Sequence, residues 1–258
     1  MDKKFEHLSE QIFNRLSQLI KEEEALESLY RKFQINDSFR YKVVGTLMEH
    51  GYLFHGTTES FESFDPSYIK GGSRGNYGYG FYFTNAAYKC SEYGNEFKFV
   101  DGSKFNFLEL EDNASENERI NGILSRIEDL NQRIFQYKEA LYNVRTNREY
   151  NYYESELKKC KDELDKLFGN EQEKDFFEQY EHILRKNPDI YFHNLTKKLY
   201  QIFARSYGIG FVSQMFLKKF GYDGFHIGAE FVIFNFEKLN QYLISDNEEL
   251  LRRFASLF

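Results

Sequence analysis

Three short segments of the chain each carry a side chain capable of chemistry beside an apolar run. His55 follows one such run, Tyr82 lies within a Gly-Phe-Tyr-Phe-Thr run, and Glu230 opens a third. A carboxylate can stabilise positive charge that develops in a reaction, and tyrosine rings can hold a cationic aromatic ring by stacking. Each residue alone is more often structural, although a glutamate that opens a buried strand is costly unless it is paired. Together the three segments mark a candidate site.

The order and internal spacing of these segments resemble the His-Tyr-Glu branch of the ADP-ribosyltransferase superfamily, which includes poly(ADP-ribose) polymerases and diphtheria-toxin-like enzymes. The matching features are a strand that ends in His-Gly-Thr at His55, a second tyrosine, Tyr93, eleven residues after Tyr82, and the late Glu-Phe-Val-Ile-Phe-Asn strand that starts at Glu230. The glycine-rich stretch before Tyr82 also looks like transferase domains in polyvalent proteins of phages and mobile elements. The resemblance covers two parts of the chain, about residues 51–100 and 208–240.

The resemblance implies that NAD⁺ is the substrate and that no metal takes part. It assigns to Glu230 the stabilisation of an oxocarbenium-like transition state and the ribose 2′-hydroxyl. It implies that Tyr82 and Tyr93 hold the cationic nicotinamide ring, that His55 bonds the adenosine ribose, and that the Gly56 backbone clasps the carboxamide. Three further NAD⁺ contacts are expected from Thr57, Arg74 and Ser91.

The acceptor of ADP-ribose is less well defined than the donor site. The arginine-modifying branch has Glu or Gln two residues before the catalytic glutamate, whereas this chain has Gly228. The resemblance therefore disfavours arginine of a protein as the acceptor. His226 is either an ordinary loop residue or a base that deprotonates the acceptor. A set of basic residues late in the chain forms either a solvated helix surface or a nucleic-acid groove: Lys197, Lys198, Arg205, Lys218 and Lys219. Protein and nucleic acid both remain open as acceptors.

Composition limits the other possibilities. Hydrophobic residues make up 41% and aromatic residues 19% of the 258 residues, which is enough for a substantial core. The net charge of −7 disfavours non-specific binding to nucleic acid. Cys90 and Cys160 have no metal-ligand spacing, and no apolar stretch is long enough to span a membrane or to serve as a secretory signal. We therefore expect reduced thiols and a location in the cytoplasm of the producing or the target cell.

The surrounding elements predict an α+β fold with a split, mostly antiparallel β-sandwich core of the transferase type. Residues 1–50 are predicted to form a helical N-terminal segment, and residues 51–258 a transferase domain. Two sets of apolar residues at heptad spacing within 115–168 predict an inserted antiparallel helical hairpin, broken at Arg145–Glu149. Further helices are predicted for 172–187 and 189–207.

The sequence thus predicts a mono-ADP-ribosyltransferase that acts as a bacterial or phage toxin or effector on a macromolecule. An antitoxin or chaperone is a possible partner, and no membrane is expected. Two alternatives remain: an NAD⁺ glycohydrolase that uses the same residues, and an inert binding or regulatory protein that acts through its helical hairpin.

Overall fold

Six strands form one sheet in the computed structural model, which describes residues 23–69, 77–86, 94 and 96–258. The strands are β1 Tyr52–Thr57, β2 Phe81–Thr84, β3 Glu96–Asp101, β4 Phe107–Glu109, β5 Gly224–Ile227 and β6 Glu230–Ile233. Their order is β3-β1-β2-β6-β5-β4, and every pairing is antiparallel except that of β4 with β5. Together with the helices below, this sheet confirms the α+β class.

The junction between β1 and β2 is the narrowest part of the sheet. A single residue pair, Phe54 with Thr84, is in register there, whereas β1 and β3 share six pairs and β2 and β6 share four. The sequence predicted two sheets of a split sandwich; the described strands instead form one sheet with a weak junction. His55 and Tyr82 both flank that junction, one on each strand.

The two faces of the sheet carry different cores because successive side chains of a strand alternate between faces. Phe83 and Phe231 belong to an aromatic cluster on one face. Val232 belongs to the largest cluster, on the other face, and Tyr82 packs against it. Tyr82 and the helices that supply this largest cluster therefore lie on the same side of the sheet.

Helices supply most of the buried residues of the largest cluster, on the face of the sheet that Tyr82 shares. Residues 23–35 (α1) are helical. The remaining α-helices of the described chain are α2 Asp37–Glu49, α3 Glu118–Asn143, α4 Asn147–Phe168, α5 Glu171–Lys186, α6 Phe192–Tyr207, α7 Phe211–Phe220, α8 Phe236–Tyr242 and α9 Asn247–Ala255. Asparagine caps start several of them; the side chain of Asn36 accepts from the Phe39 amide at 3.1 Å where α2 begins. No helix among the described residues is long and apolar enough to cross a membrane.

The two helices predicted from the heptad pattern are present, and they lie antiparallel. Arg126 on α3 contacts Glu163 on α4 at 2.5 Å, and the rings of Tyr137 and Tyr153 are 6.2 Å apart. In both pairs the residue numbers rise on one helix as they fall on the other. The base of this hairpin is continuous with the main core, because Ile120, Ile127 and Phe168 belong to the same buried cluster as α5–α7. The hairpin is thus anchored at its base.

A buried carboxylate, Asp223, ties the ends of three elements together. Its oxygens accept from the Asn106 amide at 2.8 Å, from the Asn235 side chain at 2.6 Å and from Lys238 Nζ at 2.7 Å. Burial alone would raise the pKa of Asp223, but these donors outweigh it, and the net pKa is lowered. Asp223, the residue before β5, is only 5% exposed, and it joins that strand to Asn106, which directly precedes β4, and to the start of the helix Phe236–Tyr242.

Candidate active site

A hydrogen bond joins two of the three predicted site residues across the narrow junction of the sheet. Nδ1 of His55 lies 2.7 Å from the carbonyl oxygen of Tyr82. Since a carbonyl oxygen only accepts, Nδ1 is the nitrogen that carries the proton. In the neutral ring Nε2 is then an acceptor, suited to receive a hydrogen bond from a hydroxyl group.

The surroundings of His55 favour that neutral ring. Its centroid lies 6.4 Å from that of Phe61, 5.1 Å from that of Phe64 and 5.6 Å from that of Phe83. Burial among these rings lowers the pKa of His55 below its ordinary value of 6.5, and the hydrogen bond to Tyr82 offsets only part of this effect. His55 is therefore an uncharged acceptor at neutral pH.

Tyr82 is fixed by its own hydroxyl group. The hydroxyl donates to the Gly78 carbonyl at 2.9 Å and accepts from the Tyr77 amide at 3.3 Å. Burial, with a smaller contribution from the nearby Glu230 carboxylate, raises the pKa of Tyr82 to about 12. The ring is therefore a neutral, rigid aromatic surface whose hydroxyl is already occupied by the backbone.

Glu230 is half-buried at the first position of β6, and it lies opposite Thr84 of β2. Tyr82 is two residues before Thr84 on the same strand, so Tyr82 and Glu230 project from the same face of the sheet. His55 packs instead beside Phe83, on the side of the aromatic cluster. The structure therefore links His55 to Tyr82 by a hydrogen bond, and it places the side chains of Tyr82 and Glu230 on the same face of the sheet.

Thr84 is a positioning residue that the sequence did not reveal. Its hydroxyl, on a residue only 7% exposed, donates to the Ala229 carbonyl at 2.9 Å and accepts from the Ala86 amide at 3.0 Å. The Asn85 amide reaches the same Ala229 carbonyl at 3.3 Å. These bonds fix the residue directly before Glu230, and they link the end of β2 to the turn that presents the carboxylate.

The two residues considered for acceptor choice both have structural roles. Gly228 has φ +56° in the two-residue turn between β5 and β6, a left-handed conformation that favours glycine whatever the acceptor is. His226 lies on β5, not in a loop, where Nδ1 is 2.6 Å from Glu109 Oε2 and Nε2 is 2.8 Å from the Gly228 carbonyl. Its ring stacks on Phe231 at 4.1 Å, on the face opposite Glu230. The structural interpretation of His226 is thus favoured over a role as a base.

The remaining predicted NAD⁺ contacts fall partly outside the described residues. Gly56 is buried in β1, and the Thr57 hydroxyl accepts from the Glu59 amide at 3.1 Å. A Cβ atom on Gly94, which has φ +145°, would overlap the Thr57 carbonyl, so this close approach requires glycine. The predicted contacts that lie outside the described residues stay predictions: Arg74, Ser91 and Tyr93.

A buried lysine beside His55 was not predicted. Lys98 on β3 lies directly opposite His55 on β1, and it is only 3% exposed. Its ammonium group lies 5.1 Å from the centroid of the Phe61 ring, a cation–π distance. The only signal in the sequence is a lysine within the otherwise apolar stretch Phe97–Val100. It adds a positive charge to the aromatic surroundings of His55.

A cavity of about 520 Å³ adjoins Tyr82 on the helical side of the sheet. One wall is the segment from Tyr77 to Tyr82, and the other is one face of α6. Lys197 is part of the second wall. This wall was not predicted, because it depends on how α6 packs against β2.

Two of the late basic residues, Lys218 and Lys219, share one carboxylate partner. Lys218 and Lys219 both pair with Glu173, Lys219 at 2.5 Å, and Lys219 also donates to the Leu167 carbonyl at 2.9 Å. Burial alone would raise the pKa of Glu173, but its two lysine partners lower it overall. Glu173 therefore pairs with both lysines, and the choice between a solvated helix surface and a nucleic-acid groove for the full set stays a prediction.

Comparison with known proteins gives no relative: no family model, no curated protein and no solved structure matches the chain. Nor do the described residues contain a group of three or more His, Cys, Asp or Glu side chains that could hold a metal ion.

Proposed function

We propose that the protein is an NAD⁺-dependent mono-ADP-ribosyltransferase. The observation that carries the proposal is the hydrogen bond from His55 to the Tyr82 carbonyl, on the strand whose neighbour presents Glu230. These are the three residues that the sequence motifs select. They lie on adjacent strands β1, β2 and β6, although they are far apart along the chain. A transferase-type core is part of this proposal.

The arrangement suits a ligand with two ends. His55 lies on the side of the aromatic cluster, whereas Tyr82 and Glu230 project from the other face, so a ligand that contacts all three must cross the β1–β2 junction. A dinucleotide is long enough to do so. In the proposal the adenosine ribose donates a hydroxyl hydrogen to Nε2 of His55, and the lowered pKa keeps that nitrogen an acceptor.

The nicotinamide end is held by the rigid ring of Tyr82. The nicotinamide ring of NAD⁺ is a cation, and a neutral tyrosine face attracts it by stacking and cation–π interaction. In the proposal the backbone of Gly56, the residue after His55, binds the carboxamide. Tyr93 would provide the second aromatic face.

Bond breaking follows from the same arrangement. The C1′–N bond to nicotinamide breaks, and its electron pair neutralises the departing ring, so positive charge develops on the ribose. The Glu230 carboxylate stabilises this charge, which is greater in the transition state than in the ground state. A lone pair of the acceptor forms the new bond to C1′, and the acceptor then loses its proton to solvent. The products are ADP-ribosyl acceptor, nicotinamide and a proton.

The biological setting of the proposal is a toxin or effector that acts in the cytoplasm of the producing or the target cell, where NAD⁺ is available. Its acceptor is a macromolecule or part of one. An antitoxin or a chaperone would control it in the producing cell.

The proposal is tested with radiolabelled NAD⁺ in cell lysate, comparing the wild-type chain with Glu230→Gln. Glu237→Gln is the matched control, since Glu237 is an exposed glutamate at the start of α8. Label in protein or nucleic acid with wild type and Glu237→Gln, but not with Glu230→Gln, supports the transferase. Nicotinamide release with the label recovered only as free ADP-ribose makes the protein a glycohydrolase. No NAD⁺ consumption by the wild-type chain overturns both enzymatic functions and leaves a binding protein.

A further inference from the structure

The cavity beside Tyr82 has the size and the walls of a small-molecule site. Its volume of about 520 Å³ lies within the range of roughly 300–1,000 Å³ that is common for such sites. The residues from α6 that line it follow helical spacing and so share one face: His193, Asn194, Lys197, Tyr200, Gln201 and Ala204. The opposite wall is the Tyr77–Tyr82 segment, which carries a candidate catalytic residue.

The aromatic walls are held rigidly. The Tyr200 hydroxyl bonds Ser213 and accepts from the Tyr79 amide at 3.2 Å, and the Ser213 hydroxyl reaches the Tyr79 carbonyl at 2.9 Å. Gly78, with φ +120°, packs so closely on Tyr200 that a Cβ atom would overlap its ring. This network fixes α6 and α7 against the segment that leads into β2. The cavity is therefore preformed.

The polar groups at the cavity are available to a ligand. Asn194, Lys197 and Gln201 are exposed, and their side chains have no hydrogen-bond or ion-pair partner within the described part of the chain. The described lining contains no Asp or Glu, so it offers no carboxylate to form an ion pair with the side chain of a protein arginine or lysine. Carboxamides can bond the edges of a nucleobase, tyrosine rings can stack on its face, and a lysine can neutralise a phosphate.

We propose that this cavity is the acceptor site and that it binds a single nucleotide unit. The base stacks against the tyrosine wall, Asn194 and Gln201 bond its edge, and Lys197 pairs with its phosphate. The cavity opens on the face of the sheet from which Tyr82 and Glu230 project, so a base bound there approaches the ribose C1′ atom. This acceptor site deepens the proposed function and rests on it for the transfer step. In that step a nitrogen or oxygen lone pair of the base forms the bond to C1′ as nicotinamide leaves with the electron pair of the broken C1′–N bond.

The charge distribution favours contact with one nucleotide over contact with an extended nucleic-acid backbone. Lys218 and Lys219 are committed to Glu173, and the chain carries a net charge of −7, so an extended backbone contact has little support. The nucleotide unit comes either from a free nucleotide or from one exposed position of a single-stranded nucleic acid. The experiment below separates these two sources.

Binding is measured by calorimetry on the full chain without NAD⁺, using the four ribonucleoside monophosphates and short single-stranded DNA and RNA oligonucleotides. We expect at least one of these to bind, and Lys197→Met to weaken it roughly tenfold or more, as loss of a charge-assisted hydrogen bond should. Gln201→Leu should change the preference among bases. Lys198→Met is the matched control, because Lys198 is the adjacent exposed lysine and does not line the cavity. Tighter binding of an oligonucleotide than of its monomer identifies a nucleic-acid source.

Three results of the binding experiment would overturn the inference: no nucleotide binds, Lys198→Met weakens nucleotide binding as much as Lys197→Met, or Lys197→Met weakens NAD⁺ binding as much as nucleotide binding. The last would assign the cavity to the donor. Label that enters protein alone in the lysate experiment would also overturn it. Failure of the proposed function is seen separately, as absence of nicotinamide release by the wild-type chain, since nucleotide binding is measured without NAD⁺.

Discussion

Replacing Thr84 with valine removes one hydroxyl group and preserves the shape of the side chain. The hydroxyl makes two hydrogen bonds in a nearly buried position, to the Ala229 carbonyl and from the Ala86 amide. The Ala229 carbonyl keeps a bond from Asn85, whereas the Ala86 amide loses its partner. A neutral hydrogen bond contributes about 1 kcal/mol, and a buried donor left without a partner costs about 1–3 kcal/mol. We therefore expect Thr84→Val to lower the free energy of unfolding by about 1–3 kcal/mol.

Activity should fall by more than stability explains. The Thr84 bonds fix the residue before Glu230, so the carboxylate samples positions away from the developing charge once they are lost. If this reduces transition-state stabilisation by about 1.4 kcal/mol, the rate constant for nicotinamide release falls about tenfold. Steady-state release of nicotinamide is measured at a temperature where urea denaturation shows the variant to be fully folded.

Two controls make the result specific. Thr84→Ser keeps the hydroxyl and should retain most of the activity. Thr196→Val makes the same change at a threonine that is 2% exposed, but there the hydroxyl only bonds carbonyls of its own helix, Phe192 at 2.9 Å among them, so little should change. Unchanged nicotinamide release by folded Thr84→Val, or an equal loss in Thr196→Val, would refute the positioning role of Thr84.

Three further predictions concern pH, the buried carboxylate and a close backbone contact. Because the pKa of His55 is lowered, the ring is neutral above pH 6.5, where NAD⁺ affinity and stability should both be at their full values. Both should fall as the pH drops below 6.5 through the lowered pKa, and calorimetry at several pH values measures this. The same pH profile in His55→Gln would contradict the role of His55. Asp223→Ala should lower the free energy of unfolding, measured in urea, by about 1.5–3 kcal/mol, as loss of hydrogen bonds to a charged group does. No measurable change would show that Asp223 does not hold these elements together. In the wild type this stabilisation is present above the ordinary aspartate pKa of 3.8 and is lost as pH falls through the lowered pKa. Gly94→Ala should weaken NAD⁺ binding and lower stability more than Gly208→Ala does. Both glycines have positive φ, but of the two only Gly94 packs against backbone, that of Thr57. Equal effects of the two substitutions would show that this contact does not matter.

Patterns local in the chain predicted most helices. The heptad spacing correctly predicted α3 and α4, and the helices predicted for 172–187 and 189–207 correspond to α5 and α6, since helix period is a property of neighbouring residues. Strand β3 was missed because four consecutive residues, 97–100, are buried, so no alternation marks it. Strand β4 was missed because it has three residues and pairs with β5, more than one hundred residues later.

The candidate site divides in the same way. Strand ends and spacing in the sequence pointed to His55, Tyr82 and Glu230. The bond from His55 to the Tyr82 carbonyl depends on a single registered pair between β1 and β2, which no local pattern encodes. Lys98 and the α6 wall of the cavity likewise depend on cross-strand register and on helix packing. Residue types could therefore be predicted, but their partners could not.

In the proposed reaction Glu230 stabilises the charge that develops as nicotinamide leaves NAD⁺. The most direct measurement is the single-turnover rate of nicotinamide release by purified wild type and Glu230→Gln at saturating NAD⁺ with lysate acceptor, together with the NAD⁺ affinity of each. We expect the rate of the variant to fall by about 100-fold or more, as loss of a group that acts mainly in the transition state does, with NAD⁺ affinity changed only slightly. Equal rates in the two proteins would contradict this role of Glu230, and a wild-type chain that binds no NAD⁺ would contradict the proposed function as a whole.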